Sequence, residues 1–424
     1  MTASTEPATS SAIPVSVEDV ERARAAIHGR VHRTPLVLAP RFPGLPEVPV
    51  YLKLENLQRT NSFKLRGATN RIAQLTDDEV RRGVIAASAG NHAQGVALAA
   101  RERGTPATIV MARTASPLKV TSTQRLGATV ILHGADYEEA SEEALRRARE
   151  GGLTYIHPFD DPYVIAGQGT VGREILEDLP SVRRIIVGVG GGGLAAGIAA
   201  AVHDHRPAVE VVGVQPRGSS TLARALSEGH VVSGGPPRTF ADGLATRHVG
   251  QLPFEILRAV GAKAIEVDDT AIARAAFLLL EQAKVLAEGA GAAPLAALLE
   301  HPELADPSPV VLVVSGGNLD PFLLDRILFI GLSAEGRLLR LRAALRDAPG
   351  RLAEFLAIAA EARANVRHIV HDRDSPDRPP GEVTVEVELE VQDRAHAAQV
   401  LAAYRTKGGP VEELPGPGGP VAPS

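Results

Sequence analysis

The chain has 424 residues, 44% of them hydrophobic and 22% charged, which excludes a disordered polymer; a single core stops growing at roughly 250–300 residues, so at least two domains are expected. Lys plus Arg total 45 against 50 Asp plus Glu, a net charge of -5 with no basic run or basic-aromatic stripe, which argues against nucleic acid and for a small-molecule partner. Cysteine is absent, which excludes disulfides, thiolate zinc sites, iron–sulfur clusters and cysteine nucleophiles, and the cytoplasm is the expected location.

Residues 1–14, MTASTEPATSSAIP, lack the charged and apolar regions of a signal peptide and are expected to form a loose tail. After the strand-like run YLKLEN comes TNSFKLRGATNRIAQL, whose apolar residues fall at helical spacing behind Asn61 and Ser62, both good N-cap residues. Lys64 then lies in the first turn, the end where the helix dipole disfavours a cation and, where the amine is also shielded from water, lowers its pKa. Such a lysine can be a nucleophile, or it can be a solvated surface residue with Arg66 as a second exposed cation.

From about residue 50 to residue 330 the runs GVIAA, ATIVMA, ATVILHG, RRIIVGV, VEVVGV, KAIEV and PVVLVV alternate with helix-period segments. Continuous apolar strands imply a parallel sheet covered on both faces, with its ligand outside the carboxyl ends of the strands. Three strands end in small-residue junctions expected to lead straight into helices: SAGNH, GGGGL and SGGN. The most apolar run, AIARAAFLLL, is broken by Arg274 and is too short to span a membrane, which takes roughly 20 residues.

Gly190, Gly191, Gly192 and Gly193 are entropically costly at a strand end unless a ligand sits against the backbone. Gly188, Gly190 and Gly193 also satisfy the dinucleotide pattern G-x-G-x-x-G, the signature of an NAD oxidoreductase, but Gln215 stands where the ribose-binding acid belongs. No Gly-Lys-Ser/Thr follows, so a compact monophosphate is favoured, with a flexible turn as the plain alternative. A monophosphate, an unusual lysine and no metal-ligand cluster together suggest pyridoxal phosphate, whose aldehyde forms a Schiff base with a lysine. Ser88 and its neighbouring amides could hold an amino acid's carboxylate, and Asn91 could donate to the cofactor's ring hydroxyl. Ser88 and Ser315 could equally be helix caps, and His92 a satisfied structural histidine. Facing the pyridine nitrogen, Ser315 would leave it unprotonated, which suits elimination more than a persistent carbanion.

After residue 335, LLRLRAALRDAPGRLAEFLAIAAEARANVRHIVHDR, the linker SPDRPPG, the alternating EVTVEVELEV and the helical QDRAHAAQVLAAYR read as β-α-β-β-α, a separate module at 335–408. Residues 409–424, rich in Gly and Pro, are expected to be flexible, although PVEEL could add an edge strand.

The ordered set SFKLRGA, SAGNHAQG, HPFDDPYVIAGQGT, GVGGGGL, TFADGLA, AEGAGA and SGGN resembles the threonine ammonia-lyases (threonine dehydratases) and serine racemases of the fold type II PLP enzymes, relatives of tryptophan synthase β. The resemblance covers residues 15–330 and implies two parallel-sheet α/β subdomains, the small one (about 56–158) inserted in the large one. The module with the DAPG turn resembles an ACT domain, a ferredoxin-like α+β unit. Carried over by motif, Lys64 is the Schiff-base lysine and the base at Cα, and Phe63 packs beside the cofactor. The glycines 190–193 with the N–H of Leu194 cradle the phosphate, Ser315 faces the pyridine nitrogen and Asn91 the ring hydroxyl. Ser88, Asn91 and His92 form the substrate-carboxylate loop, with Thr246 near the substrate. The activity so implied is β-elimination of L-threonine to 2-oxobutanoate and ammonia, and of L-serine to pyruvate; serine racemisation and 3-hydroxyaspartate dehydration are the alternatives. Ala89 replaces a second serine of the racemases, which favours elimination. Gln215 and Thr221 replace the acidic ligands of metal-dependent relatives, so no Mg²⁺ or Ca²⁺ site is expected. The resemblance also implies a homodimer or homotetramer in isoleucine biosynthesis, with the C-terminal module either taking isoleucine or valine as effector near Asp347 to Gly350 or serving assembly alone.

Overall fold

The computed structural model describes residues 13–203, 205–374 and 379–415, so nearly all of the expected N-terminal tail and residues 416–424 lie outside the described residues. The chain divides into two compact units at Leu319/Asp320.

In the first unit, α1 (Val17–Ile27) opens with a Ser16/Asp19 capping box and is followed by β1 (Leu36–Leu38) and β2 (Val50–Leu54). Next come α2 (Lys64–Ala73), α3 (Asp77–Arg82), β3 (Val84–Ala87), α4 (Asn91–Arg103), β4 (Ala107–Met111), α5 (Pro117–Arg125), β5 (Thr129–Leu132), α6 (Tyr137–Gly151) and β6 (Thr154–Tyr155). The chain returns through α7 (Pro162–Asp178), β7 (Arg184–Gly188), α8 (Gly193–His203), β8 (Glu210–Pro216), α9 (Leu222–Glu228), α10 (Gln251–Ala259), β9 (Lys263–Val267), α11 (Asp269–Glu281), α12 (Gly289–Glu300) and β10 (Val310–Val314).

Two sheets result. The large one has the order β1-β2-β10-β7-β8-β9, parallel throughout except for β1. The small one, β5-β4-β3-β6, is wholly parallel and lies within the inserted segment. Burial explains the direction: every residue of β3, β7 and β10 is buried, so both faces need helical cover, which βαβ crossovers supply. No helix among the described residues is long and apolar enough to cross a membrane.

The second unit begins with α13 (Pro321–Ala334), then β11 (Leu338–Arg346), α14 (Arg351–Glu361), β12 (Asn365–Asp372), β13 (Glu382–Glu390), α15 (Arg394–Lys407) and β14 (Val411–Glu413). Its sheet is antiparallel in the order β12-β13-β11-β14, a ferredoxin-like β-α-β-β-α-β arrangement. Along β11 and β13, Leu339, Leu341, Val385 and Val387 alternate inward onto a core with Phe355, Ile358 and Tyr404, while Arg342 and Glu386 pair on the other face. Two boundaries differ from expectation. The first unit ends at 319 instead of 330, because Asp320 caps α13 through the Phe322 amide and Pro321 fits its first turn. The module reaches past 408, because Val411–Glu413 within the expected tail pairs with β11.

Candidate active site

The site is built at the carboxyl ends of the parallel strands. Lys64 is the first residue of α2, but the expected caps are not used: Phe63 is the N-cap, without a side-chain bond. Asn61 sits at φ +55, and Ser62 forms a β-bridge with Gly316, so tertiary pairing overrides capping propensity there. Phe63 N–H donates to the Ser315 carbonyl at 3.1 Å, tying the helix start to the end of β10.

Nor is Arg66 an exposed cation. It is fully buried, with two hydrogen bonds to Glu55 (2.7 and 2.8 Å), two to Glu174 (2.6 and 2.9 Å), and one each to Thr170 and the His32 carbonyl. Buried Lys53 also binds Glu174 at 2.6 Å, giving two cations and two anions in one dry cluster that joins α2 to β2 and α7. Charges this deep persist only when mutually paired.

Half-buried Lys64 donates from Nζ to the Pro158 carbonyl at 2.8 Å and lies 5.2 Å from the centre of the Phe63 ring. Burial brings its pKa down to about 8, with the Glu288 carboxylate pulling the other way. The next residue, Phe159, packs against the tetraglycine: a Cβ on Gly191 would collide with its ring, and one on Gly193 would lie 3.0 Å from its backbone. The Pro158–Phe159 dipeptide therefore touches both the amine and the glycine loop. Around it, His157 Nδ1 accepts from the Asp160 N–H at 2.7 Å, and the Asp160 carboxylate accepts from the Gln251 and Leu252 amides at the start of α10. Asp161 caps α7 and pairs with Arg71.

At the glycine loop, Gly192 has φ +91, and a Cβ on Gly190 would lie 2.7 Å from the Gly243 carbonyl. Among the described residues, no backbone carbonyl accepts from the amides of Gly190 to Leu194, as expected for the first turn of α8. Thr246 is pressed on the same loop, its methyl 3.4 Å from that Gly190 position, and its buried hydroxyl has no partner. An open ring of amides at a helix N-terminus, glycines no larger residue could replace, and an orphaned hydroxyl fit a phosphate.

Of the three junctions, SAGNH and GGGGL open directly into α4 and α8; SGGN does not, because residues 315–320 take no helix, bridging at Gly316 and turning where Leu319 N–H donates to the Gly317 carbonyl, before α13. Ser88 Oγ accepts from the Gly90 N–H at 3.1 Å, a turn within the loop, and is no helix cap. Ser315 is buried just after β10 and caps no helix either. Buried His92 donates from Nε2 to the Ile156 carbonyl at 2.9 Å; burial, reinforced by Lys64, drives its pKa down to about 3, so it stays neutral. Asn91 donates to Glu288 at 2.6 Å. Glu288, within AEGAGA, carries no signal in the sequence: its partners are remote, and nothing in the spacing marks it. Burial, with Asp242 adding to it, raises its pKa to about 7 against the pull of Asn91, Lys119 and Lys64. The structure thus gathers Phe63, Lys64, Asn91 and Ser315 with Glu288, and links Lys64 to the loop at Gly190–Leu194 and Thr246 through Pro158–Phe159.

Gln215 lies elsewhere, its side-chain oxygen accepting from the Thr221 and Leu222 amides at 2.9 and 2.7 Å. It caps α9.

A family model described as "Pyridoxal-phosphate dependent enzyme" matches residues 27–316. The L-threonine ammonia-lyase of Thermotoga maritima is 45% identical over 396 residues, 93% of this chain and 98% of that protein. Among solved structures, maize serine racemase matches with TM-score 0.71 at 35% identity, over 76% of this chain and 99% of that one. The processed threonine deaminase isoform 2 of Solanum lycopersicum matches with TM-score 0.70 at 34% identity, over 77% of this chain and 92% of that one.

Proposed function

Because the chain belongs to the pyridoxal-phosphate dependent enzyme family, we propose that it is an L-threonine ammonia-lyase, eliminating water from L-threonine to give 2-oxobutanoate and ammonia. One observation carries the reading. The Pro158–Phe159 dipeptide seats a depressed-pKa amine and the glycine loop on adjacent residues, which would serve as the two anchors that a phosphorylated aldehyde requires.

The amides of Gly190 to Leu194 would hold the phosphate, and the Thr246 hydroxyl, assigned beside the substrate from sequence, fits better as a further donor to it. Phe63 would pack beside the ring, Ser315 would meet its nitrogen and Asn91 its hydroxyl. When bound, the cofactor supplies an electron sink conjugated to the substrate's Cα. Ser88 and the amides at the start of α4, where Asn91 and His92 stand, would orient the substrate carboxylate. Lys64, half neutral near pH 8, would take the Cα proton, after which the β-hydroxyl departs. The freed enamine tautomerises and hydrolyses to the oxo acid and ammonia. His92 would act structurally, since its proton is committed to Ile156.

Ala89 offers no hydroxyl to return a proton from the opposite face, which disfavours racemisation. The ferredoxin-like unit would be an ACT domain answering to isoleucine or valine near Asp347 to Gly350, where Asp347 pairs with Arg373 and Gly350 turns at φ +87. A 330 Å³ cavity lined by Arg340, Arg394, Leu401 and Glu413 in this unit is a second place for such a ligand. We place the protein in the cytoplasm as a homo-oligomer.

The test is 2-oxobutanoate from L-threonine with purified, PLP-loaded protein. Prompt formation, abolished in Lys64→Ala, is expected. D-serine from L-serine without oxo acid would instead make it a racemase.

A further inference from the structure

Four polar side chains beside Lys64 form a chain with a fixed direction. Asn61 Nδ2 donates to Asn318 Oδ1 at 3.2 Å, Asn318 Nδ2 to Asn91 Oδ1 at 2.7 Å, and Asn91 Nδ2 to Glu288 Oε1 at 2.6 Å. An amide in isolation could be turned over, but here the sense is settled by a group that cannot reverse. Asn318 Nδ2 also donates to the Thr60 carbonyl at 2.9 Å, and a backbone carbonyl only accepts. Both protons of that nitrogen are therefore spent, so Asn91 must turn its oxygen to Asn318 and its nitrogen to Glu288. One proton of Asn91 Nδ2 then remains for a further acceptor.

The backbone is shaped around the far end of this chain. Glu288 N–H donates to the Gly316 carbonyl at 3.0 Å, and any Cβ at Gly316 would collide with the Glu288 carboxylate. Glu288 is the N-cap of α12, where the helix dipole favours an anion and opposes the cost of burial. The ionisable groups facing it are Lys64 and Lys119, which stabilise its charge, and Asp242, which opposes it; Lys119 and Asp242 pair with each other at 2.7 Å.

We propose that Glu288 is the terminal acceptor of a one-way amide relay, running Asn61 to Asn318 to Asn91, that fixes which end of the Asn91 amide faces the cofactor. Glu288 and Asn318 are positioning residues: they act on the cofactor's ring hydroxyl through Asn91. This rests on the cofactor placement proposed above.

Two substitutions in the full chain separate the relay from simple packing. Asn318→Asp replaces the donor to Asn91 by an acceptor, which leaves the Asn91 amide between two carboxylates and removes the contact that holds it one way round. The PLP dissociation constant should rise about 10-fold and the visible absorption band of the loaded protein should shift, with the circular dichroism spectrum unchanged. Glu288→Gln keeps an acceptor oxygen but removes the charge, so PLP affinity should stay within about 3-fold of the parent. The parent band should move between pH 6 and 8 as Glu288 titrates, and that movement should vanish in the variant. If Asn318→Asp fails to fold, Asn318→Ala breaks the same link without adding charge and should weaken PLP binding. Parent-like affinity and band in the Asn318 variant, or parent-like titration in Glu288→Gln, would sink the relay alone. A parent protein that develops no visible band with PLP would overturn the cofactor placement and the relay together.

Discussion

Replacing Arg66 by Met is the sharpest test of the scaffold that carries Lys64. The guanidinium makes six hydrogen bonds, four of them to carboxylates that are themselves 0% and 10% exposed, and Met fills much of its volume without offering a donor. Glu55 and Glu174 would then share only Lys53. Removing one partner from a buried ionic cluster costs about 3–5 kcal/mol, on the order of a hundred- to several-thousand-fold in the folding equilibrium. The pH dependence identifies the cause. In the parent, burial pushes the Glu55 carboxyl up, but the Arg66 charge and hydrogen bonds, with Lys53 and Thr34, outweigh it and hold the group below its ordinary value. A depressed pKa contributes stability that is present above the unfolded value, about 4.3, and lost as pH falls through the folded one. Without Arg66 the balance reverses: burial dominates, the Glu55 pKa rises, and acid relieves the buried charge. Urea midpoints for parent and variant should lie far apart at pH 7 and converge toward pH 4.5, and hydrogen exchange should place the loss in α2 and β2. A loss under about 1 kcal/mol, or one constant with pH, would refute the reasoning.

Apoprotein should combine with PLP at a rate that rises with pH and levels off above a midpoint near 8, because only the neutral Lys64 amine attacks; stopped-flow absorbance showing a midpoint near 10 would contradict the effect of burial. Gly191→Ala drives a methyl into the Phe159 ring and should weaken PLP binding at least about 10-fold, or about 1.4 kcal/mol, by fluorescence titration, whereas Gly235→Ala, with open space around it, should leave it unchanged. His92→Asn removes a group already neutral at pH 6–9, so the shape of the pH–rate profile should persist even as the melting temperature falls with loss of the Ile156 bond. Asp160→Ala uncaps α10 and should cost about 1 kcal/mol in urea unfolding.

What the sequence reveals depends on how local the cause is. The apolar runs GVIAA, RRIIVGV and PVVLVV identify buried parallel strands because burial on both faces leaves a contiguous record, and the tetraglycine marks a backbone that something must approach. Arg66 was open to misreading as a surface cation because Glu55 and Glu174 stand 11 and 108 positions away. Glu288 escaped for the same reason, its Asn91 partner being 197 positions distant. Asn61 and Ser62 have the right chemistry for a cap, but a bridge to Gly316 claimed Ser62 first, and no local propensity reports that competition. Thr246 lies with its methyl against the Gly190 loop, a neighbour visible only once the chain has folded.

The glycines of α7 have a consequence for how the two anchors of the site are spaced. Gly167 lies so close to α2 that a Cβ would fall 2.7 Å from the Arg66 carbonyl, and Gly169 so close to α8 that one would fall 2.8 Å from the Gly197 carbonyl; Gly67 and Gly197 answer from the other side. Backbone rests directly on backbone across three helices, the outer two beginning at Lys64 and at Gly193. The span from the Lys64 amine to the glycine loop is thus gauged by peptide units, which have one thickness, and not by side chains, which can be exchanged. A methyl added at any of these four glycines would act as a shim, opening the calliper at one jaw while Lys64 and the glycine loop kept their identity.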